Sequence, residues 1–167
     1  MEIAEQAADR VTMLVQAEVQ GVRLLASAPL RVRQPVFAAN QAYPADPAEV
    51  ALMIKRQALA WEQGTEAMQH LLSSELSQFL LDTKVRDGDK VAGLLITDRY
   101  GAVVAASSQP DRHFFGEEPW WQALKTGQSG YVFISELIPG RQGTFRTPEE
   151  TIDIAVPIMD DHQHTMI

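Results

Sequence analysis

Apolar residues recur at three- and four-residue intervals near the start of the chain: Val11, Leu14, Val15, Val19, Val22 and Leu25, with polar residues between them. That spacing predicts a long helix over residues 3–28, weakened locally at Gly21 and ended by Pro29 and Pro35. Residues 30–44 read as a proline-punctuated loop with an exposed Asn40-Gln41. Asp46-Pro47-Ala48-Glu49 is a helix start. Asp46 can accept from free first-turn amides, Pro47 has no amide to leave unpaired, and Glu49 can complete a capping box. The helix continues through Val50, Met53, Ile54 and Trp61, is divided at Gly64, and resumes with Met68, Leu71, Leu72, Leu76, Phe79 and Leu80 until residues 86–89. The period then changes to two. Strands are predicted over 91–97 and 102–108, joined at Asp98-Arg99-Tyr100-Gly101, where Gly101 suits a positive φ. A loop at 109–118 leads to a short helix over 119–125 stopped by Gly127. Strands follow over 130–137 and 151–159, with a polar loop at 139–148, a turn at 160–164 and the start of a fifth strand at 165–167.

Helices first and antiparallel strands afterwards predict an α+β architecture: a long N-terminal helix and a sheet of about five strands flanked by helices. The 167 residues suit one domain with a helical appendage, divided here as 1–45 (stalk helix and loop) and 46–167 (sheet module). The composition, 46% apolar and 22% charged, is that of a globular chain. A net charge of -8 argues against nucleic acid as a partner. With no cysteine, the chain has neither disulfides nor thiolate sites. No run of apolar residues is long enough to span a membrane. Acidic residues at positions 2, 5 and 9 do not suit a signal peptide. The first helix carries more apolar stripe than one sheet can cover, which points to pairing with a second copy or continuation into a membrane anchor outside this sequence.

The succession ITDRYGAVVAAS, a loop, WWQALKTGQSGYVFISE and TIDIAVPIMDD resembles the Cache domain, over residues 76–167. These are extracytoplasmic, PAS-like sensor modules of bacterial histidine kinases, chemoreceptors and diguanylate cyclases. The resemblance implies a non-catalytic ligand-sensing domain of a membrane-bound transducer, in its double form the membrane-distal module, ending inside its last strand. It also implies a periplasmic or extracellular location, with membrane spans and output domain outside this sequence, and no cofactor.

The candidate ligand site is a hollow between the sheet and an aromatic cap. Phe114 and Phe115 are cap or anchor residues. Trp120 and Trp121 point about 100° apart on a helix, so one can enter the core while the other faces the ligand; both packing inward is the alternative. Tyr131, Phe133 and Ser135 share one strand face, and Ala105 is small enough to leave room. Asp153 interrupts the apolar run TIDIAVPI; it is either a solvated strand position or the anchor of a ligand amine. Amino-acid-binding family members carry an arginine where this chain has Glu118; Arg112 is either a substitute for it or a solvated loop arginine. The expected ligand is an organic acid, an amine or an amino-acid-like molecule.

His162 and His164, beside Asp160 and Asp161, read as a solvated hairpin tip rather than a metal site. No nucleophile elbow, phosphate loop or dinucleotide fingerprint occurs. The competing readings are a ligand-free structural module dimerising through the N-terminal helix, and an intracellular PAS domain holding haem or flavin. The latter is disfavoured by the missing cysteine and the placement of the histidines.

Overall fold

A computed structural model of the protein describes residues 2–64, 66–126, 130–140 and 142–160. Helix α1 (Glu2–Ala26) runs through Gly21 without a break. Residues 5–14 are exposed all round; the helix meets the body against the π-helical turn Pro29–Arg33 and the Ile154–Ala155 strand. Arg23 helps to hold it there, donating from Nη2 to the Gly130 carbonyl at 2.7 Å.

The loop predicted at 30–44 is helical for most of its length. After the π-helical turn comes α2 (Gln34–Gln41), and both segments have proline in their first turn. A proline there has no amide to waste, so Pro29 and Pro35 begin elements rather than end them. Val32 and Val36 are fully buried, and Asn40, expected at the surface, is buried with its side-chain oxygen accepting the Arg99 amide at 2.9 Å. Asp46 caps α3 (Pro47–Glu62) as expected, accepting from the Ala48 amide at 2.9 Å. Gly64, at φ +63°, ends that run. The next helical stretch is divided once more than its periodicity shows, into α4 (Glu66–Leu72) and α5 (Glu75–Asp87), because Ser74 caps α5 from the Ser77 amide.

The class is α+β, but among the described residues the single sheet of about five PAS-like strands is not present. The strands form two separate antiparallel pairs: β1 (Leu95–Thr97) with β2 (Val103–Ala106), and β3 (Phe133–Ile134) with β4 (Ile154–Ala155). Both are shorter than the apolar alternation predicts, and for one shared reason. In the first pair Ser107 donates its amide to the Leu94 carbonyl, but Leu94 returns its amide to the Ser107 hydroxyl at 2.8 Å. In the second, Ser135 donates to the Asp153 carbonyl while the Asp153 amide goes to the Ser135 hydroxyl, also at 2.8 Å. A side-chain oxygen takes the place of the strand carbonyl, and the regular ladder stops there. The predicted fifth strand, the turn before it beyond Asp160, and Gly127 lie outside the described residues.

The turn between β1 and β2 is built as expected around Asp98 and Gly101, the latter at φ +94°. Asp98 is buried. Its Oδ1 accepts the Tyr100 and Ala102 amides at 2.8 and 3.0 Å, and its Oδ2 accepts the Tyr43 hydroxyl. Helix α6 (Pro119–Thr126) follows the aromatic loop. The principal core joins Val32, Val36, Leu76, Leu80, Ile96, Ala105, Trp121, Leu124 and Ile158; a smaller cluster holds Val103, Ala106 and Phe115, and Trp120 packs against both.

Candidate functional site

A cleft of ≈ 990 Å³ opens between the inner half of α1, the end of α5, β1 and the segment around β4. Its walls are mainly apolar: Val22 and Leu25 from α1, Phe79 from α5, Leu94 and Ile96 beside and on β1, Trp120 and Leu124 from α6, and Ile154, Val156 and Ile158. Residues 150–156 line it from both alternating faces, Thr151, Asp153 and Ala155 as well as Ile152, Ile154 and Val156, and among the described residues no continuous sheet closes the space between them and α1. Glu18, Arg86, Asp87, Lys90, Glu150 and Asp153 supply its charges. Four are acids, and only Glu18 and Asp153 are partly buried; the others are exposed at the rim.

Asp153 is the chemically distinctive group. Burial raises its carboxyl above the usual aspartate range, and the nearby Glu118 carboxylate raises it further, while a hydrogen bond from Thr144 (3.4 Å) opposes both. Glu118 is occupied by Arg112 at 2.7 Å. Asp153 is therefore a carboxyl group in a mainly apolar wall, and both its burial and the Glu118 charge work against its ionisation.

Of the residues singled out from sequence, the cleft brings together Trp120 and Asp153. The two indoles diverge as helical geometry requires: Trp121 is 2% exposed in the core, with Lys125 over its ring, and Trp120 faces the cleft. Phe115 and Ala105 are also core residues. The methyl of Ala105 fills interior space instead of leaving room for a ligand. Phe114 is half-buried in the loop, its backbone bridging Ala102. Arg112 is exposed, paired with Glu118 and lying 5.9 Å from the Phe115 ring centre, and it does not line the cleft. Tyr131 is exposed, Phe133 packs on the core, and the Ser135 hydroxyl serves the strand pair. The space thus lies between strands and helices α1 and α5, with the aromatic helix as one wall, instead of under the 114–121 segment as a roof. Thr144 and Phe145 also line it and were not anticipated, because they sit in a polar loop without periodicity.

A second polar group lies away from the cleft. His113 is buried with its ring 5.5 Å from that of Trp61 at centroid, and neither His113 Nδ1 nor Trp61 Nε1 has a hydrogen-bond partner among the described residues. Burial lowers the His113 pKa from its usual value, against an opposing pull from Asp98.

Among the described residues no three His, Asp or Glu side chains are grouped to hold a metal ion, and no helix is long and apolar enough to cross a membrane. His162 and His164 lie outside the described residues. The chain matches no model of a known protein family, and comparison with curated proteins yields no match.

Proposed function

We propose that this chain is the ligand-sensing, non-catalytic domain of a membrane-bound signal transducer, placed outside the cytoplasm, and that its cleft takes a small apolar molecule bearing an amine. The sequence resemblance to Cache sensors supports the first part. The observation that carries the second is Asp153: a partly buried carboxylate in an apolar wall that also presents Trp120. An ammonium group there would relieve the cost of the carboxylate's burial and of the neighbouring Glu118, and an indole face adds attraction for a cation. Four acids against two bases around the cleft favour the same sign of ligand. Signalling follows if the ligand binds one arrangement of α1 against the strands better than another, since only differential affinity shifts such an equilibrium.

The test is thermal stabilisation by a panel of amines, organic acids and amino acids. An amine at a hundred times its Kd stabilises the fold by about 2.7 kcal/mol. The D153N variant loses about tenfold or more in amine affinity, the worth of a charge-assisted bond. Wild-type affinity weakens as the pH falls through the raised Asp153 pKa, because the protonated acid no longer attracts a cation. Stabilisation by carboxylic acids alone, or amine binding indifferent to D153N, overturns the assignment.

A second reading rests on α1. Val11, Met13 and Leu14 are 60%, 61% and 56% exposed on α1, and of the three only Leu14 reaches the cleft. This favours a structural module paired through that helix with a second copy.

A further inference from the structure

We infer that Phe145 is a partition at one end of the cleft and sets how long a ligand the cleft admits; this rests on the cleft being a ligand site. A second cavity of ≈ 910 Å³, of mixed polarity, lies beyond it, with Lys84, Ser108, Asp111, Arg146 and Thr147 among its walls. Val91, Ala92 and Phe145 line both spaces, so they form the wall between them. Val91 and Ala92 belong to the backbone run that enters β1. Phe145 is the one large side chain of the three.

Its ring is seated on Gly93. A methyl group built on that glycine would lie 2.5 Å from ring carbons Cδ2 and Cε2, so the ring occupies the space any side chain at position 93 needs. The residues on either side of Phe145 are pinned. The Thr144 carbonyl accepts the Asp111 amide at 2.9 Å, and Arg146 Nε donates to the Asp111 carboxylate at 2.6 Å. Thr144 also donates to Asp153 inside the cleft. Asp111 thus holds the loop at two points with Phe145 between them, and the same loop touches the group proposed to anchor an amine. An apolar chain lying in the cleft meets the aromatic ring on this side. Past the ring lies the mixed-polarity second space, which the apolar chain cannot enter while the ring stays in place.

Linear primary amines from butylamine to dodecylamine, each below its aggregation concentration, measure the length directly by calorimetry. For the wild type, affinity rises about fourfold per methylene and then levels off. In F145A the plateau moves to longer amines by two methylenes or more. F145L, which keeps an apolar side chain, moves it less. G93A displaces the ring without deleting it and also shifts the plateau. D153N lowers the whole series and leaves the plateau length unchanged. A plateau at the same length in wild type, F145A and G93A overturns the partition alone. A wild-type protein that binds no amine of any length overturns the cleft assignment, and the partition with it. Should F145A fail to fold, F145L and G93A decide the question by the same criterion.

Discussion

His113 shows how much a single residue's setting matters. Its ring lies against Trp61 of α3 and near the buried Asp98, and desolvation holds its pKa down. The unfolded chain, with histidine near 6.5, therefore binds a proton that the folded chain resists. The contribution is absent above pH 6.5, and stability falls progressively as the pH drops from there toward the lowered folded pKa. Urea midpoints between pH 7.5 and 5 check this: H113Q flattens that part of the profile, and an unchanged slope refutes the assignment. In the sequence this histidine was one of four, and nothing local marked it out. Asp98 and Gly101, by contrast, were legible as a turn because their roles depend on neighbours two to four residues away. The residues of the candidate site divide along the same line. Trp120 stands out by composition and helical geometry, and Asp153 by breaking an apolar run. Phe145 depends on Gly93, 52 positions earlier, and no short-range signal connects the two.

Among the elements, α1, α3 and α6 followed their periodicity and caps, whereas residues 29–41 and the strands followed local signals only in part. Alternation specifies which residues can face inward, whereas ladder length depends on which oxygen each amide finds. Ser107 and Ser135 end their ladders with hydroxyls, and Ser77 does the reverse. From α5, its Oγ accepts the Ala106 amide at 3.1 Å and donates to the Leu71 carbonyl at 2.7 Å, so one buried hydroxyl ties β2 to the end of α4. S77A leaves a buried amide and a carbonyl without that partner, which costs about 1–3 kcal/mol. The expected reading is a lower urea midpoint with an unchanged m-value. Stability within about 0.5 kcal/mol of wild type would show that the hydroxyl does not join these elements.

For the whole molecule, the question is what α1 does. Residues 5–13 of that helix are exposed, so a chain beginning at Leu14 keeps its thermal midpoint within a few degrees. L80A, by comparison, empties fully buried space in the core and costs about 2–5 kcal/mol. If the exposed stripe pairs two copies, sedimentation of the full chain shows concentration-dependent association that the shortened chain lacks; identical behaviour of the two removes the dimer reading. By itself the sequence determined the α+β class, the long first helix, the capped start of α3, the β1–β2 turn and the aromatic helix, because each rests on contacts or periodicities within a few residues. Only the tertiary structure decided that the strands form two pairs and not one sheet, that proline-rich residues 29–41 are helical, and that the open space lies between α1, α5 and the strands. Those outcomes depend on distant partners competing for the same amides and the same apolar surface, and such competition leaves no local mark on the chain.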